Sequence, residues 1–146
     1  TVMFIGANDG FPLPRVGGRG RVNCCSRAWS KAYAVRVGRA MGSFLRRQRG
    51  RVYWFLLPVA RGRTAARYFR GVNEGIRIAA ARRPGRVRLI DAPGVFTPGG
   101  AWRESMMWQG RQLVVRAPDG YHLSTAGCRI AAQLVVRAMR EDGVIR

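Results

Sequence analysis

Apolar residues fall along this chain in two rhythms. Short apolar runs stand at residues 2–5, 52–57 and 87–90, and each stops at Gly6, Pro58 or Asp91. Runs of that length with such stops predict buried parallel strands. The second rhythm has a step of three to four. Trp29, Tyr33, Val37, Met41, Phe44 and Leu45 share one helical face, and Gly50 is the expected stop. Ala65, Phe69, Val72, Ile76 and Ala79 share another, on a helix expected over 64–82 with Thr64 as its N-cap and Pro84-Gly85 beyond its end. Ile130, Leu134, Val135 and Ala138 mark a last helix that starts at Ser124 or Thr125. Residues 9–20 are rich in glycine and proline and predict a loop. Residues 94–118 show little regular pattern, and a loop that long inside a domain is often functional.

The order strand, helix, strand, helix, strand, loop, helix predicts an α/β layered domain with a parallel sheet. Right-handed crossovers put the helices on the two sheet faces. Ligands of such sheets bind beyond the carboxyl ends of the strands. No internal repeat or linker interrupts residues 1–146, so a single domain is expected.

Composition changes this picture in two places. Hydrophobic residues make up 47%, enough for a core and too many for a disordered chain. The longest apolar runs are too short to span a bilayer, so no transmembrane segment is expected. The formal charge is +20, and Lys31 is the only lysine. Such a charge fits a polyanion partner such as nucleic acid or an anionic cell-wall polymer. It fits better a compositional bias toward arginine. The arginines fall in loops, helices and strand flanks alike, so no specific nucleic-acid surface is predicted. Cys24, Cys25 and Cys128 give no disulfide framework and are expected as small buried apolar residues. No second cluster of Cys and His stands at metal-ligand spacing, so neither a metal site nor a cofactor is expected.

Candidate chemistry gathers at the two ends. Gly6-Ala7-Asn8-Asp9 places a side-chain amide on the loop leaving the first strand. Asp119-Gly120-Tyr121-His122 places a carboxylate three residues ahead of the single histidine. An ester hydrolase of the serine type needs a base, a carboxylate that orients it, and donors for the oxyanion. His122, Asp119 and Asn8 have the chemistry for those three parts. Each also has a plainer reading: a surface histidine, an Asp-Gly turn, and an Asn-Asp-Gly turn after a strand. Their common place at the expected rim of the sheet favours the joint reading. Trp102, Met106, Met107 and Trp108 make the long loop apolar, suiting either a lid on the core or a surface for an acyl chain or sugar ring.

These blocks resemble those of the SGNH (GDSL-like) hydrolases. The family's third block, Gly-x-Asn-Asp, is matched by Gly6, Ala7, Asn8 and Asp9. Its fifth block, Asp-x-x-His, is matched by Asp119 and His122 in the form Asp-Gly-x-His-Leu-Ser-x-x-Gly that is typical of the family. A bacterial branch of unassigned function shows Trp-x-x-x-Tyr, like Trp29 and Tyr33, then Trp-x-x-Leu-Pro, like Trp54 to Pro58, and an asparagine like Asn73. The resemblance runs along essentially the whole chain. It implies a three-layer, flavodoxin-like parallel sheet that begins inside the family's third strand and is therefore N-terminally truncated. It implies His122 as general base, Asp119 as its orienter, Asn8 in the oxyanion hole, and Gly6 and Asp9 as support for that loop. It implies a small-molecule or carbohydrate ester as substrate and a place outside the cytoplasm.

The family's first block, Gly-Asp-Ser, is absent, as is the second-block glycine. Ser26, Ser30, Ser43, Ser105 and Ser124 lie in expected helices, in the long loop or at a helix cap, so no nucleophile is assigned. Alone, the chain is expected to be inactive as a hydrolase. The alternative expectation is a non-catalytic relative that binds an anionic or cell-wall polymer through its arginines.

Overall fold

A computed structural model describes residues 1–47 and 50–146. In chain order the elements are β1 (Val2–Met3), β2 (Leu13–Pro14), β3 (Arg21–Val22), α1 (Arg27–Arg47), β4 (Val52–Phe55), α2 (Arg63–Ala81), β5 (Val87–Ile90), α3 (Ala92–Phe96), a 3-10 turn (Pro98–Gly100), β6 (Ser105–Trp108), β7 (Arg111–Val114) and α4 (Thr125–Glu141). The expected helix stop at Gly50 abuts residues 48–49, which lie outside the described residues.

The three apolar runs form one parallel sheet in the order β1-β4-β5. The fold is therefore mixed α/β. Strand β4 is central and buried along its length, which is why its sequence is a continuous apolar run. Its side chains alternate between two cores. Val52 and Trp54 join the cluster built by α1 and α2, whereas Tyr53 and Phe55 join Ile90, Phe96, Ile130 and Leu134 on the other face. Helices thus cover both faces of the sheet.

Three contacts fix this arrangement. Gly75 lets α1 and α2 approach closely, because a Cβ there would lie 2.7 Å from the Tyr33 ring and 2.9 Å from the Ser30 carbonyl. The buried Asn73 amide accepts from Leu57 N at 2.7 Å and donates to Leu57 O at 2.8 Å, replacing the sheet partner that β4 lacks where it ends. At the opposite end of the sheet Asp142 gathers Arg51 at 2.6 Å, Arg88 at 2.7 Å and the Tyr53 hydroxyl at 3.0 Å, tying the end of α4 to the strand starts.

Four expectations need correction. Thr64 is not the N-cap of α2: the helix begins at Arg63 after Gly62, whose φ of +90° suits glycine and which makes no side-chain cap. The loop over 9–20 contains β2, which pairs antiparallel with β3 and places Leu13 opposite Val22, both buried. The segment 94–118 is largely regular. It holds the end of α3, the 3-10 turn and the β6–β7 hairpin, whose two-residue turn has positive φ at Gln109 (+49°) and Gly110 (+76°). Its four-residue strands are too short for alternation to stand out. The cysteines are not all buried: Cys24 and Cys25 are half-buried and disulfide-bonded to each other, and Cys128 is exposed with a free thiol. Among the described residues no helix is long and apolar enough to cross a membrane.

Candidate active site

The segment from Val115 to Ser124 folds back on itself. Arg116 pairs with Leu123 in an antiparallel bridge, Ala117 N donates to His122 O at 3.0 Å, and Gly120 N donates to Ala117 O at 3.0 Å. Gly120 stands at the tip with φ +76°, where a Cβ would lie 2.6 Å from the Arg61 side chain. The Ser124 hydroxyl then caps α4 by accepting from Gly127 N at 3.1 Å.

This fold-back brings Asp119 onto His122. The Nδ1–H of His122 donates to Asp119 Oδ2 at 2.6 Å. The other carboxylate oxygen accepts two backbone N–H groups, Tyr121 at 2.8 Å and His122 at 3.0 Å. Those bonds, the imidazole first, hold the Asp119 pKa down to about 2. The ring is therefore fixed with its proton on Nδ1, which leaves the Nε2 lone pair to accept a proton. Nothing among the described residues occupies Nε2. The His122 side chain is 71% exposed.

His122 opens onto an apolar hollow of about 200 Å³. Phe4, Ile5 and Ala7 line it from the chain leaving β1, Leu57 and Pro58 from the chain leaving β4, and Cys128 from α4. The hollow thus sits beyond the carboxyl ends of two parallel strands, where α/β sheets bind ligands. The Cys128 thiol points its weak bond at Leu123 O, at 4.0 Å.

The loop after β1 has its own supports. Gly6 has φ +124°, and a Cβ there would come within 2.8 Å of Val72 Cγ1, so only glycine fits the turn. Asp9 N donates to Gly6 O at 3.2 Å, and the Asp9 carboxylate accepts the Tyr33 hydroxyl at 2.6 Å. Burial foremost, then that bond and the Asp9 charge, push the Tyr33 pKa far above its ordinary value. Burial also pushes Tyr68 up to about 12, with the Gly10 backbone bond opposing and the Asp9 charge adding. Asn8 is exposed, and its amide bonds to nothing among the described residues. Its neighbour Ala7 lines the hollow, whereas Asn8 does not.

The structure therefore joins Asp119 to His122 and brings the Asn8 loop to the same rim, without contact between Asn8 and the pair. Four of the five serines are engaged elsewhere, and Ser43 lies within α1. Ser26 Oγ accepts from Trp29 N, Ser30 Oγ donates to Gly71 O, Ser105 Oγ accepts from Gln112, and Ser124 Oγ donates to Val114 O. Of the apolar loop residues, Met106 is buried, while Trp102 donates its indole N–H to Gly120 O at 3.2 Å and so braces the fold-back. Arg61 and Arg116 brace it too, and neither stands out in the sequence. The one trace is an arginine at the end of the apolar stretch Leu113-Val114-Val115.

A mixed α/β fold with a carboxylate-braced imidazole at the carboxyl rim of its parallel sheet has the parts of an acid–base site. The chain belongs to the family described as "Protein of unknown function (DUF459)", whose model matches residues 1–138 and so spans both motif blocks. No curated protein matches it.

Proposed function

We propose that this chain carries the base half of an SGNH-type serine ester hydrolase, an acyl esterase acting on a small-molecule or O-acylated carbohydrate ester. Its family is associated with SGNH-like hydrolases. The observation that carries the reading is the 2.6 Å bond from His122 Nδ1 to Asp119, which leaves Nε2 free over a hollow at the sheet rim. In this reading Nε2 takes the proton of a serine hydroxyl as its oxygen attacks the ester carbonyl. Asp119 stabilises the imidazolium, which then protonates the leaving alkoxide. Asn8 donates its amide to the oxyanion. Its free, exposed amide suits that part, and Gly6 and the Asp9–Tyr33 bond hold the loop that presents it.

The nucleophile lies outside residues 1–146 in this proposal, and the chain alone is then inactive or nearly so. The test is to read the coding DNA upstream of Thr1 in frame and to assay ester hydrolysis by the encoded polypeptide. A strand-like run followed by Gly-Asp-Ser is expected. Asn8→Ala should then cost about 100- to 1000-fold in kcat. A frame with no such block removes the reading.

A second reading rests on a cleft of about 670 Å³ whose lining includes Arg27, Arg67, Arg70 and Arg77 with one acid, Glu74. Those arginines suit an anionic polymer. Binding by this face should weaken steeply with salt and be unaffected by His122→Ala.

A further inference from the structure

Arg116 is buried to 1% exposure, yet among the described residues it forms no ion pair. Its guanidinium donates from Nη1 to Tyr121 O at 3.1 Å and from Nη2 to Val59 O at 2.7 Å, while Nε is buried with no partner. Burial without a bonded carboxylate opposes its charge and holds its pKa down to about 10, with only the more distant Asp119 carboxylate favouring the charged form. An aliphatic side chain would fill the space without that penalty. What an aliphatic side chain cannot do is bind two carbonyls at once.

The two carbonyls are informative. Tyr121 O lies one residue before His122, on the fold-back. Val59 O lies on the chain leaving β4, whose Leu57 and Pro58 line the hollow under the imidazole. Arg61 reinforces the same link, donating from its backbone N to Gly120 O and from Nη2 to Pro118 O, both at 3.0 Å. We propose that Arg116 is the positioning residue for His122: its two-armed guanidinium fastens the turn that bears the imidazole to the sheet rim, so that Asp119 and His122 stay in register over the hollow. The inference deepens the hydrolase reading and rests on it for its meaning, although the geometry itself does not depend on ester chemistry.

The test uses this chain as it stands. His122 is its single histidine, so one imidazole gives the whole signal. Long-range ¹H–¹⁵N correlation at about pH 9, where an ordinary histidine is neutral, reads which ring nitrogen carries the proton. The native chain should show the proton on Nδ1. Arg116→Met should shift the tautomer ratio toward Nε2–H by about two- to tenfold, the effect of one weakened hydrogen bond. Arg116→Lys should shift it less, because a compact ammonium reaches one carbonyl at a time. Leu134→Ala, a buried change on α4, should lower stability and leave the ratio unchanged. A native ratio in Arg116→Met, or an equal shift in Leu134→Ala, overturns the proposal. Should Arg116→Met not fold, Arg116→Lys decides, and a native ratio there overturns it. Failure of the hydrolase reading shows separately, as ester hydrolysis unaffected by His122→Ala in a polypeptide that carries the nucleophile.

Discussion

At the scale of single residues, the candidate site is a matter of which bonds each polar atom has already made. Asp119 spends both oxygens on the turn that contains it, one on the imidazole and one on two backbone N–H groups. A carbon-detected titration of its carboxyl should give a pKa of about 2. A midpoint near 4, the ordinary aspartate value, contradicts the geometry, since a folded-state pKa that is held down means the contact persists above the unfolded value and is lost only as pH falls through about 2. This pair was legible in the sequence because it is local: three residues and a glycine set the turn, and the turn sets the bond. Asn8 was legible only as a residue type on a loop. Its free amide and its absence from the hollow lining depend on where the whole loop lies. Arg116 left one trace, its place at the end of the apolar stretch Leu113-Val114-Val115, and its burial follows only once the elements around it are in place.

At the scale of elements, periodicity gave the strands of the sheet and the three long helices, and it failed where elements are short. The strands of the β6–β7 hairpin span four residues each and expose Met107 and Val114, so their apolar pattern never settles into alternation. The α1–α2 contact was half legible: the apolar faces showed which residues pack, whereas the need for glycine at position 75 follows only from the distance between helices. Gly75→Ala should force them apart and lower stability by about 1–3 kcal/mol, the usual cost of overpacking a filled interface. A thermal unfolding midpoint equal to the native one contradicts this. At the end of α4, burial alone would raise the Asp142 pKa, but bonds from Arg51, Arg88 and Tyr53 outweigh it and the pKa is lowered. The stability it contributes is therefore full above the ordinary aspartate value of about 4 and is lost as pH falls below it. Melting curves across acid pH should fall less steeply for Asp142→Asn than for the native chain, and identical slopes would show that the cluster contributes nothing.

At the scale of the whole molecule, the sheet is covered on both faces but open along one side. Among the described residues strand β1 pairs only with β4, and Val2, Phe4 and Ile5 beside its other edge are 43%, 38% and 47% exposed. An apolar strand edge invites association between copies. Sedimentation should show this chain as oligomers or aggregates, and Ile5→Lys should increase the monomer fraction. A sharp native monomer with cooperative unfolding contradicts that expectation. The apolar run of β1 was legible in the sequence, whereas the exposure of Val2, Phe4 and Ile5 follows only from where that strand lies in the sheet. The central claim is that His122, braced by Asp119, is a general base. The most direct test compares ester hydrolysis by the polypeptide that carries both this chain and its in-frame upstream residues with that of its His122→Ala variant. The account predicts a loss of about 10⁴-fold or more in kcat with folding intact. Hydrolysis at the native rate in the variant would contradict it.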